Sequence, residues 1–239
     1  MMLSQQVLER RKWKNKLYDK LITSSILRVL PEYIQPNTLT IDIGGNSGYQ
    51  TYFHANYNNV VTYEPVPELF NVLKENLKGL EDKVTLINKA VSQKSSQITL
   101  HVDVNRLSMT SGVPLVESKP IDVQSVALDD EDYQNVGFIK VDVEGFELDV
   151  LEGAKNTIEK WRPTMMVEVY QPWCDQIGFS SESIFEFFIE KDYRILYYNC
   201  EQLKMVECGE AGAADIAQAV DAVHNLHHLH DGDFLFVAN

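Results

Sequence analysis

Cysteine is scarce in this chain. There are three, Cys174, Cys200 and Cys208, and no two form a C-x-x-C pair. The odd count and wide spacing argue against a disulfide scaffold, so a reducing, cytoplasmic compartment is expected. Long apolar runs are also lacking. None approaches the ~20 residues of a membrane-spanning helix, and the N-terminus has no uninterrupted apolar core of the signal-peptide kind. A soluble protein is expected. Positive charge is in deficit: 21 Lys and Arg stand against 35 Asp and Glu, a formal net charge of −14. That field repels phosphate polymers, which makes a nucleic acid a poor partner. Two phosphate-binding fingerprints are missing as well. No G-x-x-x-x-G-K-[ST] occurs, and after Gly44 the positions a dinucleotide fingerprint reserves for glycine hold Asn46 and Tyr49.

What is present starts with Asp42-Ile43-Gly44-Gly45-Asn46-Ser47-Gly48-Tyr49 at the end of the apolar run Leu39–Ile43. The run reads as a buried strand, and its glycines permit a tight turn where backbone can press on a ligand. The next apolar segment, Val60–Tyr63, ends on Glu64, suited to accept hydrogen bonds from a ribose diol. Strand, turn, helix, strand and acid in that order describe a nucleoside site in a Rossmann-like unit. A nucleoside without a demanding phosphate suggests S-adenosyl-L-methionine, with Asp42 near its cationic methionine portion. A tight strand–helix turn without a ligand is the plainer alternative.

The 239 residues suffice for one large domain or a domain with an appendage. Residues 4–30 read as a long helix or helix pair, with Leu17, Leu21, Ile22, Ile26 and Val29 at helical spacing and Pro31 ending the pattern. Arg10, Arg11, Lys12, Lys14 and Lys16 around Trp13 form a basic island, either a solvated face or a docking surface for an acidic partner. Residues 1–36 are thus expected to form an N-terminal helical extension and 37–239 the main domain.

From residue 37 strands and helices alternate. Strands are expected at 39–43, 60–63, 84–88, 137–141, 165–169, 193–198 and 234–237, with a hairpin of 98–102 and 121–127. Helices are expected near 49–56, 67–78, 146–161 and 181–191, and a small one near 211–223 inside an insertion spanning 207–232. This alternation implies an α/β fold with a mostly parallel sheet covered on both faces. Its functional loops then lie at the carboxyl ends of the strands.

Phe138-Ile139-Lys140-Val141-Asp142-Val143-Glu144-Gly145 is the second block. Asp142 and Glu144 can both face the crevice, and crowding raises a carboxylate's pKa toward the range of a useful base. Helix capping is the competing reading of the same acids. Glu168, in Met166–Tyr170, is costly in so apolar a run unless paired or solvated in a cleft. Glu144 and Glu168 are therefore candidate bases, with Asp142 holding cofactor or acceptor and Lys140 stabilising the acidic rim. No spacing secures a metal on these carboxylates, so no metal site is assigned.

These landmarks, with Glu64-Pro65-Val66-Pro67, Asn88-Lys89-Ala90-Val91-Ser92, Leu128-Asp129 and Leu151-Glu152-Gly153-Ala154, resemble the FkbM-type family of S-adenosylmethionine-dependent methyltransferases. The likeness covers roughly residues 38–198 and the last strand. Gly45, where that family usually has alanine, is one departure. The resemblance implies a Rossmann-like class I methyltransferase fold, a seven-stranded sheet with its last strand antiparallel, and O-methylation of a hydroxyl on a small molecule, sugar or glycan. It also implies that Asp42, Gly44, Asn46 and Gly48 surround the methionine part and Glu64 the ribose. Asn88 and Ala90 would lie beside the adenine, while Asp142 and Glu144 would border methyl group and acceptor.

Ser108, Thr110 and Ser111 are further candidates to orient the acceptor. Tyr170, Trp173 and Phe179 are candidates for an apolar wall, and His224, His227, His228 and His230 read as a polar loop or lid. His54 is expected at the surface or core edge. An N-methyltransferase on an amine or peptide, and a non-catalytic cofactor-binding scaffold, are the competing functions.

Overall fold

Phe138, Met166 and Leu235 pack on one side of a central sheet, while Ile139, Met165, Phe234 and Phe236 pack on the other. Successive strand residues point to opposite faces, so strands covered on both sides must be apolar throughout. The computed structural model describes residues 26–103, 110–111, 118–199, 201–210, 213–225 and 232–239.

The chain enters through two 3₁₀ turns, Ile26–Arg28 and Leu30–Tyr33. Pro31 lies inside the second turn, where its missing N–H costs nothing, so the expected α-helix is not continued at 26–30. Residues 1–25 of that expected helix, basic island included, lie outside the described residues. Ile26, Leu27, Leu30 and Ile34 are buried against Phe53, Phe138 and Leu196, covering one face of the sheet.

Strand β1 (Leu39–Ile43) leads through the glycine turn to helix α1 (Tyr49–His54), then β2 (Asn59–Tyr63), α2 (Pro67–Asn76) and β3 (Val84–Ile87). A second sheet follows, built from β4 (Ala90–Val91), β5 (Ser96–Asp103), β6 (Thr110–Ser111) and β7 (Ser118–Val126), with β5 and β7 forming the expected hairpin. Next come β8 (Val136–Val141), α3 (Glu147–Gly153), α4 (Lys155–Trp161) and β9 (Thr164–Glu168). Helices α5 (Gln171–Ile177) and α6 (Ser181–Ile189), β10 (Tyr193–Asn199), β11 (Lys204–Glu210), β12 (Ala213–Ala214), α7 (Ile216–Asn225) and β13 (Asp233–Ala238) complete the chain.

The main sheet runs β3-β2-β1-β8-β9-β13-β10, with β13 antiparallel to both neighbours. The mostly parallel order with an antiparallel last strand is as expected, but the sheet is larger than the seven strands expected. Antiparallel β11 adds a further strand on the edge of β10, and the two-residue β12 pairs beyond it. The supposed insertion therefore begins as sheet and continues into the helix Ile216–Asn225.

Two helical expectations are corrected. The single helix at 146–161 is two, because Gly153 packs so tightly on Ser92 that an added Cβ would lie 2.1 Å from its carbonyl oxygen. The second helix starts afresh on Asp129, whose carboxylate accepts from the N–H of Asn156 at 2.9 Å and of Thr157 at 2.8 Å. The loop after β9 holds α5, with Pro172 in its first turn and left-handed Gly178 closing it.

Candidate active site

At the carboxyl ends of β1, β2 and β8 lies an open cleft of about 710 Å³, its mouth included. The strand order reverses beside β1, since the chain builds outward to β2 and β3 and then returns to β8. Such a reversal leaves a crevice between diverging loops. Gly44, Asn46, Glu64, Ala90, Asp142 and Glu144 line this cleft together, so the fold joins residues that span a hundred positions of sequence.

The glycine turn is held tightly. The N–H groups of Gly44 and Gly45 both donate to the carbonyl of Tyr63, at 3.0 and 2.9 Å. Gly44 has φ +87°, and a Cβ there would lie 1.9 Å from the carbonyl oxygen of Asp142. Only glycine satisfies both constraints. At Gly45 the space an alanine methyl would need is taken by Cγ2 of Thr62, 2.3 Å from the ideal Cβ. That threonine makes sense of glycine at this position.

Glu64 forms the cleft's best-defined polar feature. It is buried, and its oxygens accept from the backbone N–H of Asn46 at 2.8 Å and of Val66 at 2.9 Å. Burial pushes its pKa up to about 7, against the opposing effect of those two hydrogen bonds. A carboxylate so fixed keeps lone pairs for a hydroxyl donor from the cleft. Around it Val66, Leu69, Ile98, Leu100 and Phe146 supply an apolar wall for a flat ring. Ile98 and Leu100 come from the second sheet, and nothing in their sequence context marks them as site residues.

Three expected cofactor contacts act differently. Asp42 is fully buried and faces α1, not the cleft; Thr51 Oγ1 donates to its Oδ2 at 2.6 Å. Alternation along β1 forces this, since Ile41 and Ile43 take the opposite face. Gly48 is buried against Leu73 and Leu77 and caps α1 with φ +85°. Asn88 does not line the cleft; its side-chain amide donates to the carbonyls of Glu64 and Pro65 at 2.8 and 3.1 Å, bracing the turn that carries Glu64.

Lys140 holds the floor of the site. Its Nζ stands 3.4 Å from Asp42 Oδ1 and 3.3 Å from Asp142 Oδ2, and donates to Gly44 O at 2.7 Å. Burial alone would lower its pKa, but Asp142 and Asp42 outweigh that and raise it, so the ammonium persists. The rim-stabilising role expected for Lys140 fits this geometry. Its pairing with Asp42 was legible in principle, because β1 and β8 are adjacent and these two residues are in register.

Glu144 lines the cleft with φ +54°, an unusual conformation for a side-chain-bearing residue. Glu147 explains how it is maintained. Buried beneath the turn, its carboxylate accepts from the N–H of Val143 at 3.1 Å and of Gly145 at 3.0 Å. Burial lifts Glu147 to about 7. Glu168 sits one strand over and does not line the cleft. Its pKa is raised well above the usual value, first by burial and then by Asp142, Asp233, Glu147 and Glu144.

His54 is fully buried and both ring nitrogens lack a hydrogen-bond partner. Burial, with Lys140 nearby, pushes its pKa down to about 3, so it is a neutral core residue and not a surface one. Cys174 and Cys208 are free and buried. Tyr170 and Trp173 meet edge to face at 6.5 Å, with Tyr170 half exposed. Thr110 and Ser111 fall in β6. Ser108, His227, His228 and His230 lie outside the described residues, and His224 is placed only as part of α7. Among the described residues no group of acids, histidines or cysteines is arranged to hold a metal, and no helix is long and apolar enough to cross a membrane.

A hexuronic acid methyltransferase from Haloferax volcanii, AglP, is 29% identical over 148 residues, 56% of this chain and 57% of that protein. The chain thus spans little more than half the length of this relative. A crystal structure of methyltransferase FkbM from Methylobacillus flagellatus KT matches 71% of this chain and 42% of its own at 18% identity, with a TM-score of 0.48. An rRNA methylase from Streptococcus thermophilus matches 87% and 89% at 11% identity, with a TM-score of 0.45. The methyltransferase FkbM domain model matches residues 42–195, which contain every cleft residue named above, and the chain belongs to that family.

Proposed function

We propose that this chain transfers a methyl group from S-adenosyl-L-methionine to a hydroxyl oxygen of a sugar, glycan or similar small molecule. The observation that carries the reading is Glu64, a buried carboxylate fixed by two backbone N–H groups in the cleft wall, beside the apolar side chains of Val66, Leu69 and Leu100. A ribose diol supplies the donors such a group lacks, and the Val66–Leu69–Leu100 wall suits an adenine. Gly44 lets the turn after β1 pack directly on the backbone of Asp142, which sets the shape of the cleft wall that an amino-acid portion would meet. Gly44, Asn46, Glu64 and Ala90 would hold the cofactor; Asp42, Gly48 and Asn88 would support it from behind. The sugar acceptor is supported by the name of the Haloferax volcanii relative.

When bound, the cofactor supplies a methyl group already activated on a sulfonium. The protein's task is then to orient a hydroxyl and receive its proton. Glu144 lines the cleft beside Asp142 and is the base assigned here. A hydroxyl oriented toward that methyl group would give up its proton to the Glu144 carboxylate. Asp142, anchored by Lys140, would orient the acceptor.

The test compares wild type with Glu144→Gln for S-adenosylhomocysteine binding by calorimetry and for turnover on a saccharide panel. Unchanged binding with a fall in kcat of about 10²–10⁴ supports the assignment. Full turnover in the variant removes Glu144 as base. Binding of NAD in place of S-adenosylhomocysteine overturns the cofactor, and tight cofactor binding with methylation of amines alone overturns the acceptor class.

A further inference from the structure

Ser92 follows β4 at a point where the second sheet meets α3. Its N–H donates to the carbonyl of Val126 on β7 at 2.9 Å, and its own carbonyl is pressed against Gly153. Its hydroxyl donates to Asp149 Oδ2 at 2.5 Å, and the same carboxylate oxygen accepts from the N–H of Gln93 at 3.2 Å. Backbone and side chain are thereby fixed, and the hydroxyl hydrogen is committed to α3. Ser92 also lines the cleft, in the stretch walled by Ala90, Ile98, Leu100 and Phe146. Phe146 packs there on Ala90 and Leu100. A serine oxygen whose hydrogen is engaged elsewhere offers a ligand lone pairs and no donor.

We propose that Ser92 recognises the exocyclic amino group of adenine, with Asp149 as the positioning residue that aims its oxygen. The proposal rests on the cofactor reading above and adds to it a specificity for the base. Apolar walls hold any flat purine, so they do not separate adenine from hypoxanthine, which has a carbonyl oxygen where adenine has an amino group. Among the cleft-lining side chains only Tyr63 and Ser92 carry hydroxyls, and the Tyr63 hydroxyl is engaged with that of Tyr133 at 2.6 Å. Lys89, beside Ala90 in the chain, can only donate. Asp142 faces Lys140 at 3.3 Å, and Glu64 and Glu144 have the ribose and the acceptor to serve. Ser92 is thus the side chain left to accept from an amino group in the apolar stretch. Hypoxanthine would bring its carbonyl oxygen against the Ser92 lone pairs and leave two buried acceptors without a donor.

Calorimetric titration of S-adenosylhomocysteine and of S-inosylhomocysteine, its hypoxanthine counterpart, reads this without requiring turnover. Wild type should bind the adenosyl compound at least ~10-fold tighter. Ser92→Ala should shrink that preference at least ~5-fold, and Ser92→Cys, which keeps the side chain but offers a weak acceptor, should do the same. Asp149→Ala frees the hydroxyl to turn its hydrogen toward a carbonyl, and should narrow the gap at least ~3-fold. A merely structural role would weaken both ligands in proportion and leave their ratio unmoved. No preference in wild type, or a ratio unmoved in both Ser92 variants, overturns the proposal while leaving the cofactor in place. A ratio that falls in the Ser92 variants but holds in Asp149→Ala supports the contact and overturns the positioning role. If S-adenosylhomocysteine itself does not bind wild type, the broader proposal falls first and this one with it.

Discussion

The ammonium of Lys140 donates to the carbonyl of Gly44 at 2.7 Å, tying β8 to the glycine turn that follows β1. The same Nζ faces Asp42 at 3.4 Å, and both side chains are almost wholly excluded from solvent. Surface pairs such as Lys78–Glu75 contribute little, whereas a buried charge that loses its partner is left stranded in a poorly solvating interior.

Lys140→Met is therefore expected to destabilise the protein by about 3–5 kcal/mol, while Lys140→Met combined with Asp42→Asn recovers much of the loss. Urea unfolding of the two single variants and the double variant measures this. Additive single effects would dissolve the proposed coupling.

Gly44 and Gly48 differ in what surrounds them despite similar backbone angles. At Gly44 an added Cβ meets the backbone oxygen of Asp142; at Gly48 it meets the flexible end of Leu73 at 2.7 Å. Gly44→Ala should weaken S-adenosylhomocysteine binding at least ~10-fold, through a backbone shift in the cleft wall. Gly48→Ala should lower Tm with a smaller effect on affinity. Calorimetry beside thermal unfolding separates the two, and equal affinities would remove Gly44 from the binding surface.

The buried carboxyls of Glu64 and Glu147 set a pH dependence whose sign follows from their raised values. Each holds its proton up to about pH 7 in the folded protein, against an ordinary value of 4.5. Between those limits the unfolded chain binds fewer protons than the folded one, so stability falls as pH rises from about 4.5 to 7. Glu64→Gln and Glu147→Gln should each flatten that slope in unfolding experiments. Because a ribose diol would favour ionised Glu64, cofactor binding should release a proton near pH 6–7. Calorimetry in buffers of different ionisation enthalpy should register that release in wild type and lose it in Glu64→Gln.

Asp129 caps α4 from outside the helix, accepting from two N–H groups and from Thr157 Oγ1 at 2.8 Å. Asp129→Ala should cost ~1–2 kcal/mol in urea unfolding, with Asp129→Asn milder. A neutral Asp129→Ala would mean that water replaces the cap.

Much of the architecture was written in residue order. Alternating apolar strands and amphipathic helices dictated a parallel sheet covered on both faces, and the acid near the end of β1 with those after β2 and β8 marked its carboxyl edge. The helix break at Ala154 was not legible, because it depends on Asp129 and Ser92 arriving from elsewhere in the chain. Edge strand β11 escaped notice for a related reason, as its pairing partner β10 decides its conformation.

By itself, then, the sequence determined the class of fold, the family and the end of the sheet where chemistry belongs. Those features depend on local periodicity and on glycines and acids at fixed spacing. Tertiary structure alone decided which acids face the cleft. Period-two alternation buries Asp42 beneath the turn with Lys140, whereas Glu64 and Glu144, in turns beyond their strands, are aimed by backbone N–H groups and by Glu147. Direction of a side chain depends on what the neighbouring strands and loops leave open, and no single stretch of residues carries that information.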